Sequence, residues 1–350
     1  MDDDRRKAAP RLSLPARLPW LVLLLGLLLA LPPQEAFART KKKTTRSRTT
    51  AKAAPPQKPA NLVDSPTGMK LPKATTAEEI KLIAKGAVLI DAFTGETLYE
   101  KNPDERLYPA SSTKVLTALL VIEAGNLDQK VVIAREDTQE EPTAIGFREG
   151  EQFTRRELLY ALLLKSANDV AHALARDNAG SVEAFAQKMT ERAHQLGALH
   201  SHFHNPHGLH HPEHYSTPHD MALIFRAAMQ QPVYRQYVST LHHDWMSPRG
   251  IIALRNSNRL LSGFPGCTGG KTGYTVAARH VLVCAALRDH REVISVVMGS
   301  DKYGKWTDSS QLLSYGLAHP VPMPELIGPD TAQNAVSAAR SSMAPDFSRK

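Results

Sequence analysis

The stretch that decides the fold is Ser111-Ser112-Thr113-Lys114, which opens an apolar segment running to about Ala124 and followed by Gly125. This run predicts a helix, with the glycine as its stop signal. Residues i and i+3 share a helix face, so Ser111 and Lys114 can touch. A serine needs an adjacent base to act as a nucleophile, and a lysine is such a base only when its pKa falls from about 10.4 towards 7. Burial and neighbouring positive charge produce shifts of that size.

Two further short motifs follow along the chain. Ser166-Ala167-Asn168 lies at a predicted break between two helical stretches. There Ser166 can pass a proton towards a leaving amine, and Asn168 can hold a substrate carbonyl. Lys271-Thr272-Gly273 follows two more glycines. A glycine-rich strand lets another backbone approach closely, and an edge strand of that kind can pair with an extended peptide.

The strand motif also supplies charge and hydrogen-bond donors. Lys271 offers a positive charge, and Thr272 a hydroxyl, to the terminal carboxylate of a substrate. The N–H groups of Tyr274 and Ser111 are expected to form an oxyanion hole, in which one donor is typically worth about 2.7–4 kcal/mol. The predicted catalytic residues are Ser111, Lys114 and Ser166, and the predicted substrate-binding residues are Asn168, Lys271, Thr272, Gly273 and Tyr274.

Each motif alone is a weak signal. A capped helix with a surface lysine, an ordinary helix break and a glycine-rich turn would explain the three separately. Their order is more informative, because S-x-x-K, S-x-N and K-T-G together resemble the penicillin-binding serine peptidases. Over roughly residues 75–320 the chain resembles the D-alanyl-D-alanine carboxypeptidase branch of that family. The segments that carry this resemblance are Pro109–Ser111, Gly150-Glu151, Asn205–Leu209, Asp220–Ala222, Asn256–Leu261 and Tyr315-Gly316.

The resemblance implies a mechanism and a function. Ser111 would attack the D-alanyl carbonyl while Lys114 takes its proton; D-alanine would leave, and water would hydrolyse the acyl-enzyme. Penicillin would acylate the same serine, and no cofactor is expected. The predicted protein is a serine-type D-alanyl-D-alanine carboxypeptidase that trims peptidoglycan stem peptides, with a D,D-endopeptidase as the alternative. The alternative arises because about 30 residues follow Leu317, too few for the second β-rich domain and amphipathic anchor of many carboxypeptidases.

The chain departs from the family pattern in three places. Ala167 stands where this branch usually has glycine, at a spacer position. Arg279-His280 stand where the family tends to have glycine and an aromatic residue. Many relatives carry an arginine before the last helix for the substrate carboxylate, and Lys305 lies in that region here. A lysine replaces the bidentate fork of a guanidinium by a point charge.

The order of predicted elements indicates an α+β fold. Residues 84–91 and 96–100 read as a hairpin around Thr94-Gly95, and three more strands are expected at 270–274, 281–287 and 293–298. Helices are expected between them, with starts at Thr154, Ser181 and Thr217 or Asp220, and a last helix at about 308–317. Strands at both ends with helices between predict the penicillin-binding, β-lactamase-like architecture, an antiparallel sheet covered by helices plus an all-α lobe.

The N-terminal segment of the chain predicts export. Residues 1–38 resemble a signal peptide, with a basic start, a 14-residue apolar run at Leu18–Leu31 and the small-x-small site Ala36-Phe37-Ala38. The run is short for a membrane anchor, although an uncleaved anchor stays an alternative. We therefore expect the periplasm or the outer face of the cytoplasmic membrane. Residues 39–74 are predicted to be a disordered linker, 75–320 the peptidase domain and 321–350 a flexible tail.

The predicted linker accounts for the net positive charge of the chain. Residues 39–58 carry eight basic residues and no acidic one, against a net charge of +8 for the whole sequence. This segment either contacts anionic membrane or wall surfaces or serves as a solvated spacer. It gives no argument for nucleic-acid binding.

The histidine-rich segment 200–219 suggests a competing class of enzyme. His210-His211-Pro212-Glu213-His214 spells H-x-x-E-H, a zinc-peptidase pattern that needs both outer histidines on one helix face. Pro212 disfavours that helix, so metal binding by the loop without catalysis is the preferred interpretation, and no catalytic metal is predicted.

Two other protein classes are alternatives to the peptidase interpretation, and the two cysteines also allow more than one role. A β-lactamase would need a deacylating glutamate between the second and third motifs, and a wall-binding protein would have lost catalytic residues; the sequence favours neither. Cys267 and Cys284 are too few for a zinc site. They could face each other across a hairpin, but free thiols are preferred.

Overall fold

The structure is a computed structural model that describes Ala74 and residues 76–319 of the 350-residue chain. The predicted signal peptide, the tail and the linker apart from Ala74 lie outside these described residues. Their assignments therefore stay predictions. Within the described part, no helix combines the length and the apolar character needed to cross a bilayer.

The strands and helices follow one another through the described residues in a mixed order. The strands are β1 (Gly86–Asp91), β2 (Thr97–Lys101), β3 (Lys130–Val132), β4 (Gln152–Thr154), β5 (His242–Ser247), β6 (Gly250–Arg255), β7 (Cys267–Thr275), β8 (Arg279–Arg288) and β9 (Arg291–Ser300). The α-helices are α1 (Lys114–Glu123), α2 (Arg155–Tyr160), α3 (Asn168–Ala179), α4 (Val182–Gln195), α5 (Pro218–Met229), α6 (Pro232–Ser239), α7 (Leu260–Gly263) and α8 (Gly304–Ala318).

The main sheet has five antiparallel strands in the order β2-β1-β9-β8-β7. The hairpin from the start of the domain thus pairs with strands from its end, as the sequence predicts. Strand β7 forms one edge of the sheet, so its motif residues are backed by β8 on one side only. The predicted α+β architecture is confirmed, because helices cover both faces of this sheet.

Strand β1 shows how the sheet divides two apolar cores. All six of its residues are buried, and successive side chains of a strand point to opposite faces. Val88 and Ile90 join the core shared with α1 to α6, whereas Ala87 and Leu89 join the core that includes α8. A strand with helices on both faces is apolar throughout, which explains the continuous run in its sequence.

The helices begin where the sequence places capping residues. The Thr154 side chain accepts a hydrogen bond from the Glu157 N–H, and the Ser181 side chain accepts one from Ala184. Thr217 does the same for the N–H at Asp220, which decides between the two predicted starts of α5. These oxygens satisfy backbone donors that have no partner inside the helix.

Some elements differ from the sequence expectation. Ser111 does not start an α-helix; it lies in a 3₁₀ turn, Ala110–Thr113, and α1 begins at Lys114. The β5–β6 hairpin was not predicted. Its strands bury only Trp245 and Leu254, so the alternation that marks a strand is weak. Trp245 connects the hairpin to α2, because its indole N–H donates to the Glu157 carbonyl at 2.9 Å.

The two cysteines lie on β7 and β8 of the main sheet. Both are free thiols, with Sγ atoms 3.4 Å apart. The Asn258 side-chain amide contacts both sulfur atoms, at 3.8 and 3.6 Å.

Candidate active site

The predicted nucleophile lies on the 3₁₀ turn ahead of α1, and this turn distinguishes the two adjacent serines. The buried Ser112 hydroxyl donates to the Pro109 carbonyl at 2.6 Å, so its hydrogen is already used. The Ser111 Oγ lies 3.1 Å from Lys114 Nζ. Ser111 is therefore the serine whose hydroxyl faces the candidate base.

Lys114 is fully buried among three oxygen atoms. Its Nζ lies 2.8 Å from Asn168 Oδ1, 2.8 Å from the His207 carbonyl and 3.1 Å from Ser111 Oγ. A neutral amine has two N–H donors and one lone pair. The amide and carbonyl oxygens can only accept, so they take the two donors. The lone pair is then left for the Ser111 O–H, which is the geometry a general base requires.

The surroundings favour the neutral form of this amine. Burial, and then the positive charge of Lys271, hold the pKa of Lys114 well below its usual value, while Asp169 and Glu140 oppose the shift. Desolvation acts in this direction because it penalises the charged form of a lysine.

The opposite wall of the site joins the second and third motifs. A single π-helical turn, Ala161–Lys165, ends at Ser166, whose backbone adopts the left-handed conformation with φ of 65°. The buried Lys271 Nζ donates to Ser166 Oγ and to the Thr272 carbonyl, both at 2.8 Å. Burial and then the nearby charge of Lys305 lower the pKa of Lys271 to about 7.

Strand β7 runs against the turn that carries the nucleophile. A Cβ at Gly273 would lie 2.9 Å from the Ser111 backbone nitrogen and 3.1 Å from the Pro109 carbonyl oxygen. The approach is too close for any side chain, so glycine is required here. The next position, Tyr274, is 56 % exposed, and Thr272 Oγ1 lies 2.7 Å from the Ser257 hydroxyl. The edge strand and the serine turn thus form two sides of one cleft.

The histidine-rich loop closes a third side. A Cβ at Gly208, where φ is +87°, would lie 1.8 Å from the Ala110 carbonyl oxygen. The Gly208 N–H donates to Asn205 Oδ1 at 2.7 Å, and the Thr117 hydroxyl donates to the Pro206 carbonyl at 2.6 Å. These contacts hold the His207 carbonyl against Lys114. Burial, and then the charge of Lys114, hold the pKa of the His207 imidazole well below its usual value.

The sequence model of the family described as D-alanyl-D-alanine carboxypeptidase matches residues 73–302 of this chain. The chain belongs to the D-alanyl-D-alanine carboxypeptidase family. The predicted family and its serine-type peptidase class are thereby confirmed.

Three similar proteins illustrate this membership. D-alanyl-D-alanine carboxypeptidase DacF of Bacillus subtilis is 34% identical over 246 residues, which is 68% of this chain and 63% of that protein, so slightly less than two thirds of its length is spanned. A D-alanyl-D-alanine endopeptidase of Pseudomonas aeruginosa is 32% identical over 241 residues, 67% of this chain and 77% of the other. The crystal structure of a D-alanyl-D-alanine carboxypeptidase of Mycobacterium tuberculosis superimposes with a TM-score of 0.66 at 34% identity, covering 74% of this chain and 97% of that one. The predicted penicillin-binding fold is therefore confirmed.

In this member of the D-alanyl-D-alanine carboxypeptidase family, two of the residues that depart from the family pattern, His280 and Lys305, are in contact. Lys305 Nζ lies 3.1 Å from His280 Nδ1, and the His280 ring stacks on Tyr274 with ring centroids 4.4 Å apart. Burial and then the charge of Arg259 lower the pKa of Lys305 to about 8. His280 and Lys305 therefore form one polar unit beside the exposed end of the K-T-G strand.

The zinc-peptidase alternative is wrong for this chain. Residues 210–214 form no helix. His210 packs edge-on against Tyr108 with ring centroids 4.6 Å apart, while His214 Nε2 is hydrogen-bonded to Thr113 Oγ1 at 2.8 Å. Because the two outer histidines of the pattern have separate partners, they do not form the paired ligands that this chemistry needs.

The fold brings most of the predicted site residues into contact. Ser111, Lys114 and Asn168 form one group, and Ser166 and Lys271 form another. The oxyanion role of the Tyr274 N–H stays a prediction. The sequence interpretation assigned no role to the His207 carbonyl, Ser257 or His280. The Asn205–Leu209 and Asn256–Leu261 segments, already noted as family-like, were the available signal for the first two.

Proposed function

We propose that this protein is a serine-type D-alanyl-D-alanine carboxypeptidase with Ser111 as nucleophile and Lys114 as general base. The observation that carries the proposal is the arrangement around Lys114 Nζ. Two oxygens that can only accept hydrogen bonds take its donors, and the Ser111 hydroxyl lies at its remaining side. A serine beside a buried, neutral amine is an activated nucleophile.

The acylation step follows from this arrangement. Lys114 accepts the Ser111 proton as Oγ attacks the penultimate D-alanyl carbonyl, and the N–H groups of Ser111 and Tyr274 stabilise the oxyanion. The C–N bond then breaks, and the proton held by Lys114 passes through the Ser166 hydroxyl to the leaving D-alanine amine, which leaves Lys114 neutral again. Water attacks the resulting ester, with Lys114 again as base, and releases the shortened peptide. A β-lactam would acylate the same oxygen and act as an inhibitor.

Substrate orientation is assigned to the remaining predicted residues. Asn168 holds the substrate amide carbonyl, and Gly273 lets the extended peptide pair closely with β7. Lys271 and the Thr272 hydroxyl bind the terminal carboxylate. Lys271 and the nearby Lys305 are two potential positive charges, which suit a peptide that ends in a free carboxylate, so carboxypeptidase action is our main assignment.

The second candidate is a D,D-endopeptidase that cuts peptidoglycan cross-links. It is favoured by the similarity to the Pseudomonas aeruginosa endopeptidase. The two activities share the nucleophile and differ in what lies beyond the scissile bond, a single D-alanine or a cross-linked strand.

Digestion of purified muropeptides separates the two functions. Pentapeptide monomers and cross-linked dimers are incubated with the protein, and the products are weighed by mass spectrometry. Loss of one alanine from the monomer is the expected result, and conversion of dimers into monomers alone would support the endopeptidase instead. Ser111→Ala should abolish either activity.

Penicillin labelling then tests the assigned nucleophile. Peptide mapping of the labelled protein is expected to place the adduct on Ser111. An adduct on the adjacent Ser112 would refute the assignment.

The proposed setting is outside the cytoplasm. Peptidoglycan stem peptides are the proposed substrate in cell-wall synthesis and cell-shape control, in the periplasm or at the outer face of the cytoplasmic membrane. This placement rests on the sequence of residues 1–38. The basic segment 39–58 is proposed to contact anionic membrane surfaces, and vesicle co-sedimentation with and without that segment measures the contact.

A further inference from the structure

The outer side of the histidine-rich loop carries side chains that the proposed catalysis does not use. The inner histidines have partners: the His207 carbonyl contacts Lys114, and His214 is hydrogen-bonded to Thr113. His204 and His211 have no such role. They lie on the outer side with Glu213, which is exposed, as is His204.

These three side chains converge. One ligand atom from each of His204, His211 and Glu213 lies within 4.8 Å of the other two. The imidazoles of His204 and His211 stack almost parallel, with centroids 3.5 Å apart and 4° between their planes. A tetrahedral zinc ion bound at about 2.1 Å separates its ligand atoms by about 3.4 Å. The rings must tilt towards a common point, and the χ2 torsion of histidine is soft enough to allow it.

The backbone fixes where these ligands start. The His204 N–H donates to His214 Nδ1 at 3.1 Å, and the His214 N–H donates to the His211 carbonyl at 2.9 Å. Both ligands are thus tied to His214, which is buried against the nucleophile turn. The Glu213 N–H also donates to His211 Nδ1 at 3.2 Å, a long hydrogen bond that metal ligation would replace. Only side-chain rotation is needed to complete the site.

A cavity of about 710 Å³ lies between this loop and α4. His204 and His211 are on its wall, together with Glu140 and Glu183. The cavity leaves room for water to fill a fourth coordination position, as in zinc sites with three protein ligands. The carboxylates add negative charge to the approach of a cation.

We propose that His204, His211 and Glu213 bind a divalent transition-metal ion of the zinc class. Two imidazoles and a carboxylate are a ligand set that Zn²⁺ accepts and that Mg²⁺ or Ca²⁺ does not favour. The ion braces the outer side of the loop whose inner side positions the His207 carbonyl. It takes no part in bond breaking, and the site does not depend on the proposed function.

The test is calorimetric titration of the purified full-length protein with ZnCl₂ after removal of metal by a chelator. One equivalent of Zn²⁺ is expected to bind. His204→Ala, His211→Ala and Glu213→Gln should each weaken binding by at least about tenfold, since even residues that only orient metal ligands cost that much. His242→Ala is the matched control, an exposed histidine on β5, and it should bind Zn²⁺ unchanged.

Two further measurements make the outcome decisive. Zn²⁺ should raise the Tm of the unmodified protein and of the control but not that of His211→Ala. Penicillin acylation should be the same with and without chelator, and the same in the ligand variants, which shows that they fold. Absence of zinc binding, or binding that survives all three ligand substitutions, overturns the proposal. Loss of acylation on chelation would show that the reaction needs the metal, against the bracing role proposed here, and would also overturn the proposal.

Discussion

Replacement of Lys114 by methionine tests the proposed base directly. Methionine has a similar length and flexibility, so it can fill the buried volume, but its thioether cannot take the Ser111 proton at neutral pH. The substitution also removes the donor that Asn168 Oδ1 and the His207 carbonyl share in the structure. Catalysis and stability are therefore both affected, and their magnitudes have to be separated.

The catalytic loss and the stability loss are expected to be of the same order. A positioned general base contributes about 10²–10⁴-fold to rate, which corresponds to about 2.7–5.4 kcal/mol of activation free energy. Each oxygen left without a donor costs about 1–3 kcal/mol of stability, offset in part because a buried lysine is no longer desolvated. A domain of this size loses about 2–4 °C of Tm per kcal/mol, so Lys114→Met should remain folded at 25 °C.

The assay is the rate of acylation by a fluorescent penicillin, followed on denaturing gels, together with the Tm of each variant. Lys130→Met is the control, because Lys130 is exposed on β3; it should acylate at the unmodified rate. A folded Lys114→Met protein that acylates within tenfold of that rate would refute the assignment of Lys114 as base.

Three other predictions follow from the same geometry. Gly273→Ala places a Cβ 2.9 Å from the Ser111 nitrogen, so β7 must shift by several tenths of an ångström. The rate of acylation by penicillin should therefore fall at least about tenfold, and an unchanged rate would contradict the close approach. KM for a peptide with a free C-terminal carboxylate should rise as pH increases through about 7 and about 8, because deprotonation of Lys271 and Lys305 removes positive charge; a C-terminally amidated peptide should show no such rise. Thr154→Ala removes the cap of α2 and should lower the free energy of unfolding by about 1 kcal/mol in urea titration, with penicillin acylation at 25 °C unchanged.

The features that the sequence predicted well are local ones. Thr154, Ser181 and Thr217 each cap a helix through a side-chain oxygen and an N–H three residues later. Such short-range contacts leave a signal in neighbouring residues. The three motifs likewise predicted residues that the fold brings into contact, because each motif is itself a local pattern.

The features that were missed depend on contacts between distant segments. The His207 carbonyl lies 93 residues from Lys114 in the chain. Every residue has a backbone carbonyl, so the sequence contains no pattern that predicts this contact. The contact between Ser257 and Thr272 also joins separate parts of the chain, because the segment that contains α7 lies between them. The left-handed Ser166 depends on the π-helical turn before it, and a run of alanine and leucine does not distinguish that turn from an α-helix.

Gly208 has a consequence for loop exchange among related enzymes. Its missing side chain lets the loop press onto the Ala110 carbonyl, so a graft that introduces any other residue there would push the serine turn out of place. The stretch from Leu209 to Glu213 is only partly buried or exposed and tolerates replacement far better. Hybrid enzymes can therefore vary the stretch from Leu209 to Glu213, while Gly208 is kept and the serine turn stays in place.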